Sequence, residues 1–91
     1  MTGIELIAEE RRRQIEEEGF DAEHDSFHSV DDLCAAAIAY AMCDIAGSDV
    51  AEENWPWDAK WWKPKGRRKN LVRAAALLAA AIDRMDEEEE K

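Results

Sequence analysis

Long apolar runs are missing from this 91-residue chain. Nothing approaches the roughly 20 consecutive apolar residues that a membrane-spanning helix requires, so no membrane partner is expected. The N-terminal residues lack the basic stretch followed by an apolar core that marks a secretory signal, and the expected localisation is cytoplasmic. Cysteine is scarce: Cys34 and Cys43 stand nine apart inside one predicted helix, about 13 Å along its axis. A disulfide between them is excluded, and reduced, partly buried thiols are expected. Cations are also in deficit, 12 against 22 carboxylates, for a formal net charge of −10. A long nucleic acid would be repelled by most of such a surface and is not an expected partner.

The apolar residues that are present cluster in segments, which separates this chain from a disordered acidic one. A chain this short makes one domain of marginal stability, so association into a homo-oligomer is expected. The predicted class is all-α: a three-helix compact domain with a tryptophan-rich loop between helices two and three, spanning residues 1–86, with an acidic frayed tail at 87–91. Thr2 and Glu5 form a capping box that opens a first helix over Gly3 to Glu18, closed by Gly19. Its apolar stripe is Ile4, Ile7, Ala8 and Ile15, with Arg11 in the middle, so Arg11 must snorkel out or find an anionic partner. Phe20 and Phe27 sit in the polar connection that follows and are placed to pack down on the helices. Ser29 with Asp32 opens a second helix over Val30 to Ala46, with Leu33, Ala36, Ala37, Tyr40 and Ala41 on one side and Gly47 at its end.

Gly47 to Gly66 holds both prolines and two of the four glycines, and is predicted to be mostly loop. In the third helix Leu71, Ala75, Leu78, Ile82 and Met85 recur at spacings of four, three, four and three, with Leu77 and Ala81 widening the face. Glu87 to Glu90 then place four like charges at the end where the helix dipole disfavours anions. No internal repeat is evident.

Candidate chemistry concentrates in one stretch. Residues Lys60 to Arg73 hold seven of the twelve cations and no carboxylate, and all four tryptophans, Trp55, Trp57, Trp61 and Trp62, lie just before or within it. Indoles stack on nucleobases while Lys and Arg contact phosphates, so a small phosphorylated or nucleotide-like ligand is the expected partner. Trp55 and Trp57 read better as a lid on the core. Trp61 and Trp62 are adjacent and cannot both turn inward easily. Lys63, Lys65, Arg67, Arg68 and Lys69 precede or open the third helix, where helix amides favour an anion, either a bound one or an acidic surface of another copy. The predicted ligand set is Arg11, Lys63, Arg67 and Arg68 on phosphates, Trp61 and Trp62 on a base, and His24 on an edge or phosphate.

His24 and His28, four apart among Asp21, Glu23 and Asp25, have a metal-like composition, but nothing completes a closed site, and backbone capping is the preferred reading. No metal or other cofactor is expected. No catalytic residue is assigned either: Glu9, Glu10, Glu17, Glu18 and Asp21 could surround magnesium in a helical nucleotide pyrophosphatase, but their spacing is poor and no nucleophile is obvious.

The set Glu10-Arg11-Arg12-Arg13-Gln14, Glu18-Gly19-Phe20, His24-Asp25, Trp55-Pro56-Trp57, Trp61-Trp62-Lys63-Pro64 and Arg67-Arg68 with Leu71-Val72-Arg73-Ala74 resembles a family of short proteins encoded in bacteriophages and prophages. The resemblance covers nearly the whole chain and implies a phage origin and a host bacterial cytoplasm, without a mechanism. A looser likeness, carried by Arg13, Gly19, Phe20 and the Ala-Leu-rich last helix, is to the ryanodine-receptor repeat domain, which implies sensing of nucleotide-like ligands. The leading functional expectation is a non-enzymatic protein that binds and sequesters a signalling nucleotide of host defence. The alternative is an acidic decoy that blocks a host defence or nucleic-acid-binding protein, since −10 on so short a chain steers it to basic surfaces.

Overall fold

The computed structural model describes residues 1–18 and 29–89, without the side chains of residues 18 and 87–89. The predicted stop at Gly19, the packing of Phe20 and Phe27, and the His24 and His28 segment lie outside the described residues. The described chain is all-α, in the order α1 (Gly3–Glu18), α2 (Val30–Ala46), α3 (Ser48–Glu52), a single 3₁₀ turn (Ala59–Trp61) and α4 (Arg67–Glu89). The predicted loop therefore contains two short helical pieces, and the last helix runs on through Glu89. No helix among the described residues is long and apolar enough to cross a membrane.

Helix starts follow local chemistry. The Thr2 N–H donates to Glu5 Oε1 at 2.9 Å while the Glu5 N–H donates to Thr2 Oγ1 at 3.2 Å, so two orphan amides of α1 are satisfied reciprocally. Ser29 Oγ accepts from the Asp32 N–H at 3.0 Å, and Asp31 and Asp32 lie in the first turn of α2, where the dipole favours them. Gly47 joins α2 to α3 at φ 96°, a value that glycine alone adopts cheaply. Its N–H donates to the Cys43 carbonyl and its own carbonyl accepts from Ala51, so one residue ends α2 and starts α3.

Helix α4 is the centre of the packing, with α2 on one side, α1 on another, and α3 against α2. The α2–α4 contact is built largely from small residues: Ala36, Ala37 and Ala39 on one helix, Ala74, Ala80 and Ala81 on the other, with Leu33 and Leu77 among them. Both cysteines are free thiols, Cys43 buried and Cys34 partly so.

The buried faces of α1 and α4 differ from the expected ones. On α1, Ile4 is 81% exposed and Ala8 and Ile15 also face outward, while Gln14 is fully buried and Ile7, Glu10 and Arg11 are partly covered. Arg11 finds the anionic partner its position demanded, Asp83 on α4 at 3.4 Å. Arg13 grips Glu10 through two nitrogens at 2.8 and 2.6 Å, and Glu10 also accepts from Gln14 at 3.2 Å. Of these contacts the Arg11–Asp83 pair crosses to α4, while the Arg13–Glu10–Gln14 bonds lie within α1. On α4 the buried row is Asn70, Ala74, Leu77 and Ala81, so the expected flank Leu77 and Ala81 is buried while the main stripe, one residue out of phase, leaves Leu71, Leu78, Ile82 and Met85 exposed. Ala41 of α2 is likewise exposed.

Asn70 staples the loop to both main helices. Its Oδ1 accepts from the Lys65 N–H at 2.7 Å, and its Nδ2 donates to the Lys65 carbonyl at 2.9 Å and to Asp44 of α2 at 3.1 Å. Replacing Asn70 with Ala strands both backbone groups of Lys65, and urea denaturation should show a loss of about 1 to 3 kcal/mol. Asp44→Ala should cost much less, because Asp44 is exposed and water can stand in for it.

The capping box also sets an acid response. The Thr2 N–H, and after it the Thr2 hydroxyl, hold the Glu5 carboxyl below the ordinary glutamate value. A lowered folded-state value means the contribution is present above the ordinary glutamate range and is lost as pH falls through the lowered value. Carboxyl shifts followed by NMR should show Glu5 titrating below the ordinary glutamate value with concurrent fraying of the first turn, and Thr2→Ala, which removes the hydroxyl but keeps the N–H, should move it only part of the way back.

Candidate functional site

Between α3 and α4 the chain runs through Trp55, Trp57, Trp61 and Trp62, and the structure gives these four indoles different surroundings. Trp62 is 8% exposed, stacked at a tilt on Tyr40 with ring centroids 4.9 Å apart and on Trp55 at 5.1 Å. Trp55 meets Tyr40 edge-on at 5.4 Å and Trp57 edge-on at 5.2 Å, the arrangement that aromatic quadrupoles favour. The polar edges of two indoles are satisfied inside the fold, Trp55 Nε1 on the Asp58 carbonyl at 3.1 Å and Trp62 Nε1 on Ser48 Oγ at 3.3 Å. Trp55 and Trp57 therefore act as the lid that was expected of them.

Trp61 is thrown the other way. Asp58 caps the 3₁₀ turn through its carboxylate, which accepts from the Lys60 N–H at 3.0 Å, and the turn closes with Trp62 N–H on the Ala59 carbonyl. The turn sends Trp62 into the core and leaves Trp61 58% exposed. Two ammonium groups attend its ring, Lys60 Nζ at 5.4 Å and Lys63 Nζ at 6.0 Å from the centroid, within the range of cation–π attraction. Behind this patch Arg73 of α4 donates to the Lys63 carbonyl at 2.8 Å and lies over the Tyr40 ring at 5.7 Å, which fixes the backbone of Lys63 against the core.

Lys60, Lys63, Lys65, Arg67, Arg68 and Lys69 are all exposed, and among the described residues none of them pairs with a carboxylate. Gly66 stands before the first turn of α4, its carbonyl accepting from the Asn70 N–H at 3.0 Å, and brings no side chain over the helix N-terminus.

The predicted ligand set is therefore only partly gathered. Trp61 and Lys63 lie together at the surface, and Arg67 and Arg68 follow in the first turn of α4. Trp62 is withdrawn, because its ring is core and its N–H is engaged, so no paired indole platform exists. Arg11 is withdrawn as well, held on Asp83 at the α1–α4 contact. His24 lies outside the described residues. Lys60 was missed; its place one residue before an exposed indole was the available signal. Among the described residues no group of three or more His, Cys, Asp or Glu gathers as for a metal ion.

Comparison with protein-family models, with curated proteins and with solved structures finds no match for this chain. The likeness to phage-encoded proteins rests on the motifs alone.

The two adjacent indoles make opposite demands. Trp62→Ala should cost about 3 to 5 kcal/mol, as for other buried aromatics. Trp61→Ala should stay within about 0.5 kcal/mol of the parent, the range of ordinary surface changes. Paired urea titrations followed by far-UV circular dichroism check both values.

Proposed function

We propose that this protein binds a small anionic ligand carrying an aromatic ring, of the nucleotide class, with Trp61 as the stacking surface and Lys60 and Lys63 as the phosphate contacts. The observation that supports this reading most is the exposed Trp61 ring with two ammonium groups beside it. An indole of that size left outside a core that has recruited its immediate neighbour contributes nothing evident to folding. The patch sits in a molecule of net charge −10 whose remaining surface disfavours long polyanions. Binding suits the patch, which offers cations and a ring face. The phage-type motifs give that activity a setting, the sequestration of a signalling nucleotide used by host defence.

Thermal-shift and calorimetric titration with nucleoside monophosphates, triphosphates and cyclic dinucleotides tests the reading, with inorganic pyrophosphate as the ringless control. One nucleotide class should raise the melting temperature while pyrophosphate at equal concentration does much less. Loss of one stack is worth about 1 to 3 kcal/mol, so Trp61→Ala should weaken binding on the order of 5- to 150-fold. The double variant Lys60→Ala/Lys63→Ala should make the remaining affinity less sensitive to salt. Binding that survives all three substitutions unchanged would refute the assignment.

A further inference from the structure

Helix α4 is apolar on every side from Leu71 to Ile82 except at Arg73. A helix apolar all round is normally enclosed, yet only part of this one is. One seam, Asn70, Ala74, Leu77 and Ala81, is buried within the chain. A second seam runs beside it, with the exposed Leu71, Leu78, Ile82 and Met85 in register with the half-buried Ala75. Its spacings of four, three, four and three are those of a coiled-coil interface.

Charge says what covers it. Arg67, Arg68 and Lys69 occupy the first turn of α4, and Asp86 with the three glutamates to residue 89 occupy the last, so both ends carry the sign that the helix dipole disfavours. Two copies of α4 laid antiparallel through this seam correct both ends at once. With Leu78 on the two-fold axis, Leu71 stands opposite Met85, the small Ala75 within one residue of Ile82, and residues 67 and 68 opposite the 86–89 segment of the second copy. A parallel pair would set like charges together at each end. Helix α2 has a shorter exposed row, Ile38, Ala41 and Ile45, but its only charges are Asp31, Asp32 and Asp44, so pairing it with itself would oppose carboxylates alone.

We infer that this protein forms a two-fold symmetric dimer through the exposed Leu71–Leu78–Ile82–Met85 seam of α4, packed antiparallel against the same seam of a second copy. The interface is isologous, and it gives Arg67 and Arg68 their anionic partners, leaving Lys60 and Lys63 beside Trp61 for a ligand. The inference is independent of the ligand reading, and its test uses no ligand.

Sedimentation equilibrium of the full chain should return twice the 10.4 kDa chain mass, and Leu78→Asp should return the single mass with an unchanged helical spectrum. Arg67→Glu/Arg68→Glu and Asp86→Arg/Glu89→Arg alter only end residues, and each alone should weaken self-association on the order of tenfold. Mixed together, the two variants should form a heterodimer, because each then meets the opposite sign. For orientation, Leu78→Cys should cross-link to itself under mild oxidation, with the parent chain as control for Cys34 and Cys43. Leu71→Cys should not, since antiparallel packing holds those two positions about 20 Å apart at roughly 1.5 Å per residue. A monomeric parent, a dimer that survives Leu78→Asp, or self-cross-linking of Leu71→Cys overturns the proposal.

Discussion

The rest of this structure depends on a close approach between α2 and α4 that alanine makes possible. Ala36, Ala37 and Ala39 on one helix and Ala74, Ala80 and Ala81 on the other leave little side-chain volume between the backbones. Close backbones gain dispersion contacts, but alanines bury little apolar area, and burial scales with that area at roughly 25 cal/mol per Å². Bulk must come from elsewhere. Tyr40, Trp55 and Trp62 supply it, since each aromatic buries about 150 to 250 Å² when enclosed. The loop between α3 and α4 is thus part of the core, although its residues lie outside the three long helices.

That requirement shapes the surface patch. A loop that must place Trp55, Trp57 and Trp62 against Tyr40 is held firmly: by the Asp58 cap on Lys60, by Arg73 on the Lys63 carbonyl, and by Asn70 on both backbone groups of Lys65. Trp61, Lys60 and Lys63 sit on the outer side of this pinned segment. A ligand meeting a side chain on a backbone already fixed loses less conformational entropy on binding than one that must order a free loop. The core's need for large aromatics and the preorganisation of the outer patch have the same structural origin.

Local signals in the sequence were legible and facial ones were not. The start of α1 and both ends of α2 follow from Thr2 with Glu5, Ser29 with Asp32, and Gly47, whose chemistry acts within three or four residues of itself. The opposite destinies of Trp61 and Trp62 were not foreseen: both were expected on a base, and only the 3₁₀ turn at Ala59–Trp61 decides that Trp62 goes inward. Which face of α4 turns inward was not legible either. Its large residues and its alanines form two rows one position apart, and a reading weighted by side-chain size chooses Leu71, Leu78, Ile82 and Met85. The structure chooses the alanines because α2 presents alanines too, and that is a property of the pair. Asn70 was invisible for the same reason: it lies in phase with Ala74, Leu77 and Ala81, a row that becomes meaningful only once α2 is placed. On α1 Ile4 and Ile15 misled, because the inward face carries Gln14 and Arg11, the latter paired with Asp83 of α4.

Among the described residues the three largest fully buried side chains are Leu77, Gln14 and Asn70, so two of the three are amides. A single copy leaves Leu71, Leu78, Ile82 and Met85 in contact with water. Mass action then ties the proposed activities to stability. Anything that binds only the folded chain stabilises it by RT ln(1 + [L]/Kd), whether the binder is a second copy on α4 or an anion at Trp61. Because Trp62 is core and Trp61 is its neighbour, unfolding disperses the ligand patch along with the aromatic cluster. The chain then responds in melting temperature to both binders, and two contributions that add mark two sites.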